Sequence, residues 1–186
     1  MTDQQAQCPP NLLSDAVAVV SRDELQGLRR IDALLRDYPQ DARLHFLRGS
    51  LLASQQRYAD AHEAMAESVK LAPAFWVARY QLGFLELTSG DAPAAEATWA
   101  QFSTLPDDYY LSLFVRGLHH LIRDDFPETI HCLREGIARN VDNPAMNRDM
   151  QLIIDALEPG GSTPAEGELI SATHLLLRQY TSKTKH

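Results

Sequence analysis

In the stretch 80–91, YQLGFLELTSGD, apolar residues fall on nearly every side of a helix, with Leu82, Leu85 and Leu87 among them. A surface helix needs only one apolar stripe, so this one must be covered on more than one side. Gly83 sits in its middle, where glycine costs roughly 1 kcal/mol against alanine. Something should approach closely enough there to offset that cost. Other helices follow from the same kind of pattern. SRDELQGLRRIDALLRDYPQ reads as a helix and its exit, with Ser21 and Glu24 as a capping box. NPAMNRDMQLIIDALEP reads as another, with Asn143 at the N-cap and Pro144 at the first helical place. After the breaker EPGGSTPA, a last helix begins at Thr163, Pro164 and Glu166. Leu169, Ala172, Thr173, Leu176, Leu177 and Tyr180 share one of its faces.

Gly83 is one of three glycines at equal spacing, with Gly49 and Gly117 lying 34 residues to either side. The same shift aligns Phe46, Tyr80 and Phe114, and also Tyr58, Ala92 and Phe126. It aligns Ala61, Ala95 and Thr129, then Met65, Trp99 and Leu133, and Pro39 with Pro73. A sustained 34-residue period with small residues at its eighth and twentieth places resembles the tetratricopeptide repeat. The clearest repeat is 42–75, followed by 76–109 and 110–143, and a degenerate one at 8–41 precedes them. The pattern is broken at the fourth place (His45, Arg79, Leu113), at the seventh (Arg48, Arg116) and at Thr129.

The resemblance implies an all-α fold, a helical solenoid of antiparallel helix pairs whose small residues mark close helix crossings. The expected organisation is an N-terminal tail at 1–7 and a repeat domain at 8–157 that includes a capping helix at 144–157. A linker at 158–163, a C-terminal amphipathic helix at 164–180 and a basic tail at 181–186 complete it. It also implies a concave face for partners, built from the first helix of each repeat. Carried over place by place, that face is Arg43, Phe46, Ser50, Ala53 and Ser54, then Val77, Tyr80, Phe84, Leu87 and Thr88. Leu111, Phe114, Leu118, Leu121 and Ile122 complete it. It is mostly apolar, and a wet stripe of this kind would be costly. Residues 164–180, through Leu169, Ala172, Leu176, Leu177 and Tyr180, are the candidate cover. They could dock in the groove, on a second copy to make a homodimer, or on the last repeat as a further cap.

Composition narrows the class. The net charge is −8 with 45 % hydrophobic residues, which argues against nucleic acid or anionic lipid as principal partner. MTDQQAQCPP lacks the basic and apolar regions of a signal peptide, and no segment reaches the ~20 apolar residues of a membrane span. A cytoplasmic location is the expectation. Cys8 and Cys132 make no disulfide framework. His119, His120, His131 and Cys132 match no metal-ligand spacing. No nucleophile motif or phosphate loop appears, Asp125 reads as an N-cap, and Trp76 and Trp99 read as packing residues, with Trp76 alone also a candidate groove anchor. The expectation is therefore a non-enzymatic adaptor without metal or cofactor, holding an apolar helix or extended peptide. A chaperone of a bacterial secretion or assembly system is one alternative, and an enzyme or enzyme subunit is the other.

Overall fold

The computed structural model describes residues 7–158, and all regular structure among them is helical. The helices are α1 (Pro10–Val20), α2 (Glu24–Asp37), α3 (Ala42–Ser54), α4 (Tyr58–Leu71) and α5 (Trp76–Thr88). They continue as α6 (Ala92–Trp99), a 3-10 turn (Ala100–Thr104), α7 (Tyr110–Ile122), α8 (Phe126–Arg139) and α9 (Pro144–Leu157). Two compact units divide within α5, Met1–Leu85 and Glu86–His186. The C-terminal segment 164–180, with its candidate cover residues, lies outside the described residues.

Local chemistry sets the helix boundaries. Asp23, rather than Ser21, caps α2, accepting the Gln26 N–H at 2.9 Å. Ser21 instead closes α1, its hydroxyl donating to the Val17 carbonyl at 3.0 Å. The expected capping box fails because α1 runs on to Val20 and leaves Ser21 as its C-cap. Asp41 caps α3 and Asp91 caps α6 through the backbone N–H groups of Arg43 and Ala94. Asn143 occupies the N-cap of α9 without a side-chain cap bond. The amide of Asn140 does the ordering, pairing with the Asn143 backbone and the Asn147 side chain at 2.8–3.0 Å.

Three inter-helix turns share a backbone feature at the repeat period. Gln56 (φ 62°), Gly90 (φ 90°) and Asp124 (φ 57°) all lie in the left-handed region. Only glycine adopts it without a Cβ penalty.

In the N-terminal unit, α3 and α4 cross at Gly49. A Cβ there would meet Met65 Cγ at 2.6 Å and the Ala61 carbonyl oxygen at 3.1 Å. In the C-terminal unit α7 and α8 cross at Gly117, whose Cβ would meet Leu133 Cδ2 at 2.7 Å. These contacts account for two of the three periodic glycines, and their partners are the aligned Ala61, Met65 and Leu133. Ile31, Leu44, Leu52, Ala61 and Met65 fill the first core; Trp99, Leu113, Phe114, Leu118 and Leu133 fill the second.

Departures from the repeat pattern are satisfied locally. At the fourth place, His45 Nε2 reaches the Pro39 carbonyl at 2.8 Å and Arg79 Nη2 the Pro73 carbonyl at 3.2 Å. Each spans six residues, so the same contact recurs 34 residues on. Thr129 is fully buried, and its hydroxyl donates to the Asp125 carbonyl one turn back.

Candidate functional site

The first-helix places fall into three environments. Those of α3 are the most accessible. Phe46 is half-buried and meets Phe75 edge to face, ring centroids 5.2 Å apart. Ser50 donates to the Phe46 carbonyl at 3.0 Å, and Ser54 to the Leu51 carbonyl at 2.8 Å. Ala53 is half-buried.

Arg43 is engaged elsewhere. Its Nε and Nη2 donate to the Asp41 carboxylate at 2.9 and 2.6 Å, and Nη2 also reaches the Cys8 carbonyl at 2.7 Å. The Cys8 N–H donates to Asp41 Oδ2 at 2.8 Å. An aspartate side chain only 2 % exposed thus joins the start of α1 to the start of α3. Burial pushes the Asp41 carboxyl up. The hydrogen bonds from Arg43 and from the Cys8 and Arg43 backbones outweigh it and hold the group below the usual carboxylate range. Burial, with Asp41 adding to it, pushes the Cys8 thiol up. The expected groove arginine is therefore a brace, because Asp41 sits two residues away at the N-cap and claims it.

On α5, Val77 is half-buried, while Tyr80 and Phe84 are buried and stack at 6.0 Å with rings nearly parallel. Leu87 is buried and Thr88 half-buried.

On α7 the groove places are almost all covered. Leu111, Phe114 and Leu118 are 0 % exposed and Leu121 is 1 % exposed; only Ile122 is intermediate. Gly136 on α8 supplies a reason for Phe114. A Cβ at Gly136 would lie 2.5 Å from two Phe114 ring carbons, so the missing side chain is the seat for the phenyl ring. Tyr110 closes on the same ring edge to face at 5.8 Å. Phe114 is an interior anchor of its own hairpin.

The histidine and cysteine positions are separated by their contacts. His119 packs edge to face on Trp99, His120 Nδ1 lies 3.0 Å from Asp125 Oδ2, and His131 is exposed. Asp125 occupies the N-cap of α8, yet its carboxylate is turned to His120 and makes no cap bond. Cys132 is buried and accepts from Arg116 Nε at 3.4 Å. No group of three or more metal-binding side chains occurs among the described residues. Trp76 is half-buried and Trp99 buried. No described helix is long and apolar enough to cross a membrane.

Sequence reasoning missed the Cys8–Asp41–Arg43 brace and the Gly136 seat. The brace joins residues 33 and 35 apart across helices, which no local pattern reports. Gly136 had a weak signal, since Ser68 lies two periods before it and is also buried against its hairpin partner, donating to the Ala42 carbonyl.

Antiparallel helix pairs, close crossings at the periodic small residues and recurring turn geometry define an all-α fold of the tetratricopeptide solenoid class. A solved structure of MamA (the RS-1 ArsTM double mutant), itself a tetratricopeptide-like protein, resembles this one at TM-score 0.57 and 15 % identity. The match covers 95 % of this chain and 96 % of that one. At that identity the likeness speaks for the fold alone. No protein-family model and no curated protein sequence matches the chain.

Proposed function

We propose that the chain is a non-enzymatic protein-interaction module, an adaptor whose first-helix face holds an apolar helix or an extended segment of a partner protein. The observation that carries this reading is the half-buried Phe46–Phe75 pair at a groove place of α3. Aromatic side chains, phenylalanine among them, are enriched at protein interfaces. Val77 on α5 is the accessible apolar place beside them in sequence, whereas Leu111, Phe114 and Leu118 serve as interior support. The test is selection of peptides from a random display library. Selected peptides should carry apolar anchors, bind with little salt dependence, and lose binding to Phe46→Glu while its helical circular dichroism is unchanged. Peptides dominated by basic residues, released by salt and indifferent to Phe46→Glu, would contradict it.

Residues 164–180 enter the proposal as a competing occupant of that face. The outer face of α9 supports this over a further cap. Arg148, Gln151 and Asp155 are exposed there beside Leu152, and a polar outer face already suits the end of a repeat array. Truncation after Glu158 should then tighten binding of a selected peptide. Unchanged affinity would remove the gate and leave the interaction reading standing.

A further inference from the structure

His119 lies in the last turn of α7, where the free carbonyls of a helix C-terminus favour an imidazolium. Its surroundings favour the neutral ring. The imidazole meets the Trp99 indole at 5.7 Å and 63°, and Trp99 is only 1 % exposed. Nε2 is buried and has no hydrogen-bond partner among the described residues. Among the described residues, Glu96, Arg123 and His120 act on the ring electrostatically. Glu96 on α6 is an acidic neighbour, and it lies 3.7 Å from Arg123. Arg123, just past α7, and His120 oppose a further positive charge. His120 is itself engaged with Asp125.

We propose that the α6–α7 contact of the C-terminal unit is an acid-labile latch, in which His119 holds Trp99 as the neutral imidazole and releases it when protonated. The imidazolium must carry an N–H at Nε2, where no acceptor stands among the described residues, and burying an unpaired charged donor is costly. Burial lowers the His119 pKa; Glu96 works against it, and Arg123 and His120 add to it. The sign follows from linkage. A base whose folded pKa lies below its unfolded value stabilises the fold above the ordinary histidine range. That contribution fades as pH falls through the unfolded pKa. The latch needs no partner protein, so it stands apart from the interaction reading.

The experiment places Trp76→Phe in the full chain, leaving Trp99 as sole tryptophan, and follows its emission from pH 8 to pH 5. His119 is titrated by NMR in the same protein. The latch requires His119 to titrate below the ordinary histidine value. It also requires Trp99 emission to move to longer wavelength on acidification, with that move lost in His119→Phe, which keeps an aromatic ring without the proton. Titration at or above the ordinary value would mean that attraction between the cation and the indole face wins, and would overturn the proposal. An equal emission shift in His119→Phe would overturn it as well. Should His119→Phe not fold, the titration of the unsubstituted histidine decides alone.

Discussion

The seventh place of the repeat carries an arginine in both units, and the two arginines meet different chemistry. Arg48 reaches across to α2 and pairs with Asp32 at 2.9 Å. Arg116 reaches α8 and finds the buried Cys132 sulfur at 3.4 Å. The contrast extends to the whole of each unit. Met1–Leu85 holds ten acidic and nine basic residues, whereas Glu86–His186 holds fifteen acidic and eight basic, a net of −7. The groove places of α3 are polar or half-open, and those of α7 are sealed. One repeat plan thus yields a nearly neutral unit with an accessible apolar edge and an acidic unit with an apolar interior. A shared period does not imply a shared surface: the small residues fix the crossing, and the remaining places are free to diverge.

Truncating the corresponding aromatics breaks this comparison most sharply. Phe114→Ala should lower stability by about 3–5 kcal/mol, the usual cost for a buried phenylalanine. Phe46→Ala, half-open in α3, should cost about 1–2 kcal/mol because less area returns to water. Equal losses in chemical denaturation would show that the two faces are equally buried.

Overpacking the crossings comes next. Gly49→Leu and Gly117→Leu should each cost about 1–3 kcal/mol or more. Thermal unfolding unchanged in both would mean that the helices do not cross at these glycines.

Asp41→Asn probes the brace of the N-terminal unit. Removing the carboxylate leaves Arg43 and the Cys8 N–H poorly matched, a loss of about 1–3 kcal/mol. The folded pKa of Asp41 lies below its unfolded value. Its stabilisation is therefore present above the ordinary carboxylate range and fades as pH falls through the folded pKa. Urea midpoints of the unsubstituted protein and Asp41→Asn should converge as pH is lowered; a constant gap would contradict the brace.

The smallest effect should be a gain. Gln56→Gly and Asp124→Gly remove a Cβ from the left-handed region and should each stabilise by about 1 kcal/mol. A loss of melting temperature in either would show that its side chain matters more than its backbone strain.

The helix pairs and their phase were legible because backbone crossings constrain sequence directly. Gly49 and Gly117 face Ala61, Met65 and Leu133 as a 34-residue shift aligns them. Accessibility was less legible, since the same apolar letters serve a groove or an interior. Leu111 and Phe114 read as lining by place number, yet Gly136, on the next helix, is what seats Phe114. Arg43 read as a groove cation from its place number, although Asp41, two residues before it, claims the guanidinium and the Cys8 carbonyl, 35 residues away, shares it. The turn residues Gln56 and Asp124 could have been found from Gly90 by period alone.

The affinity of one selected apolar peptide for two glutamate variants tests the account most directly. Phe46 is the half-open groove aromatic of the N-terminal unit, and Phe126, 37 % exposed at the start of α8, is an accessible aromatic outside the groove places. Phe46→Glu should weaken binding at least about tenfold, roughly 1.4 kcal/mol, and Phe126→Glu should leave it unchanged. Binding lost with Phe126→Glu and kept with Phe46→Glu would contradict the account.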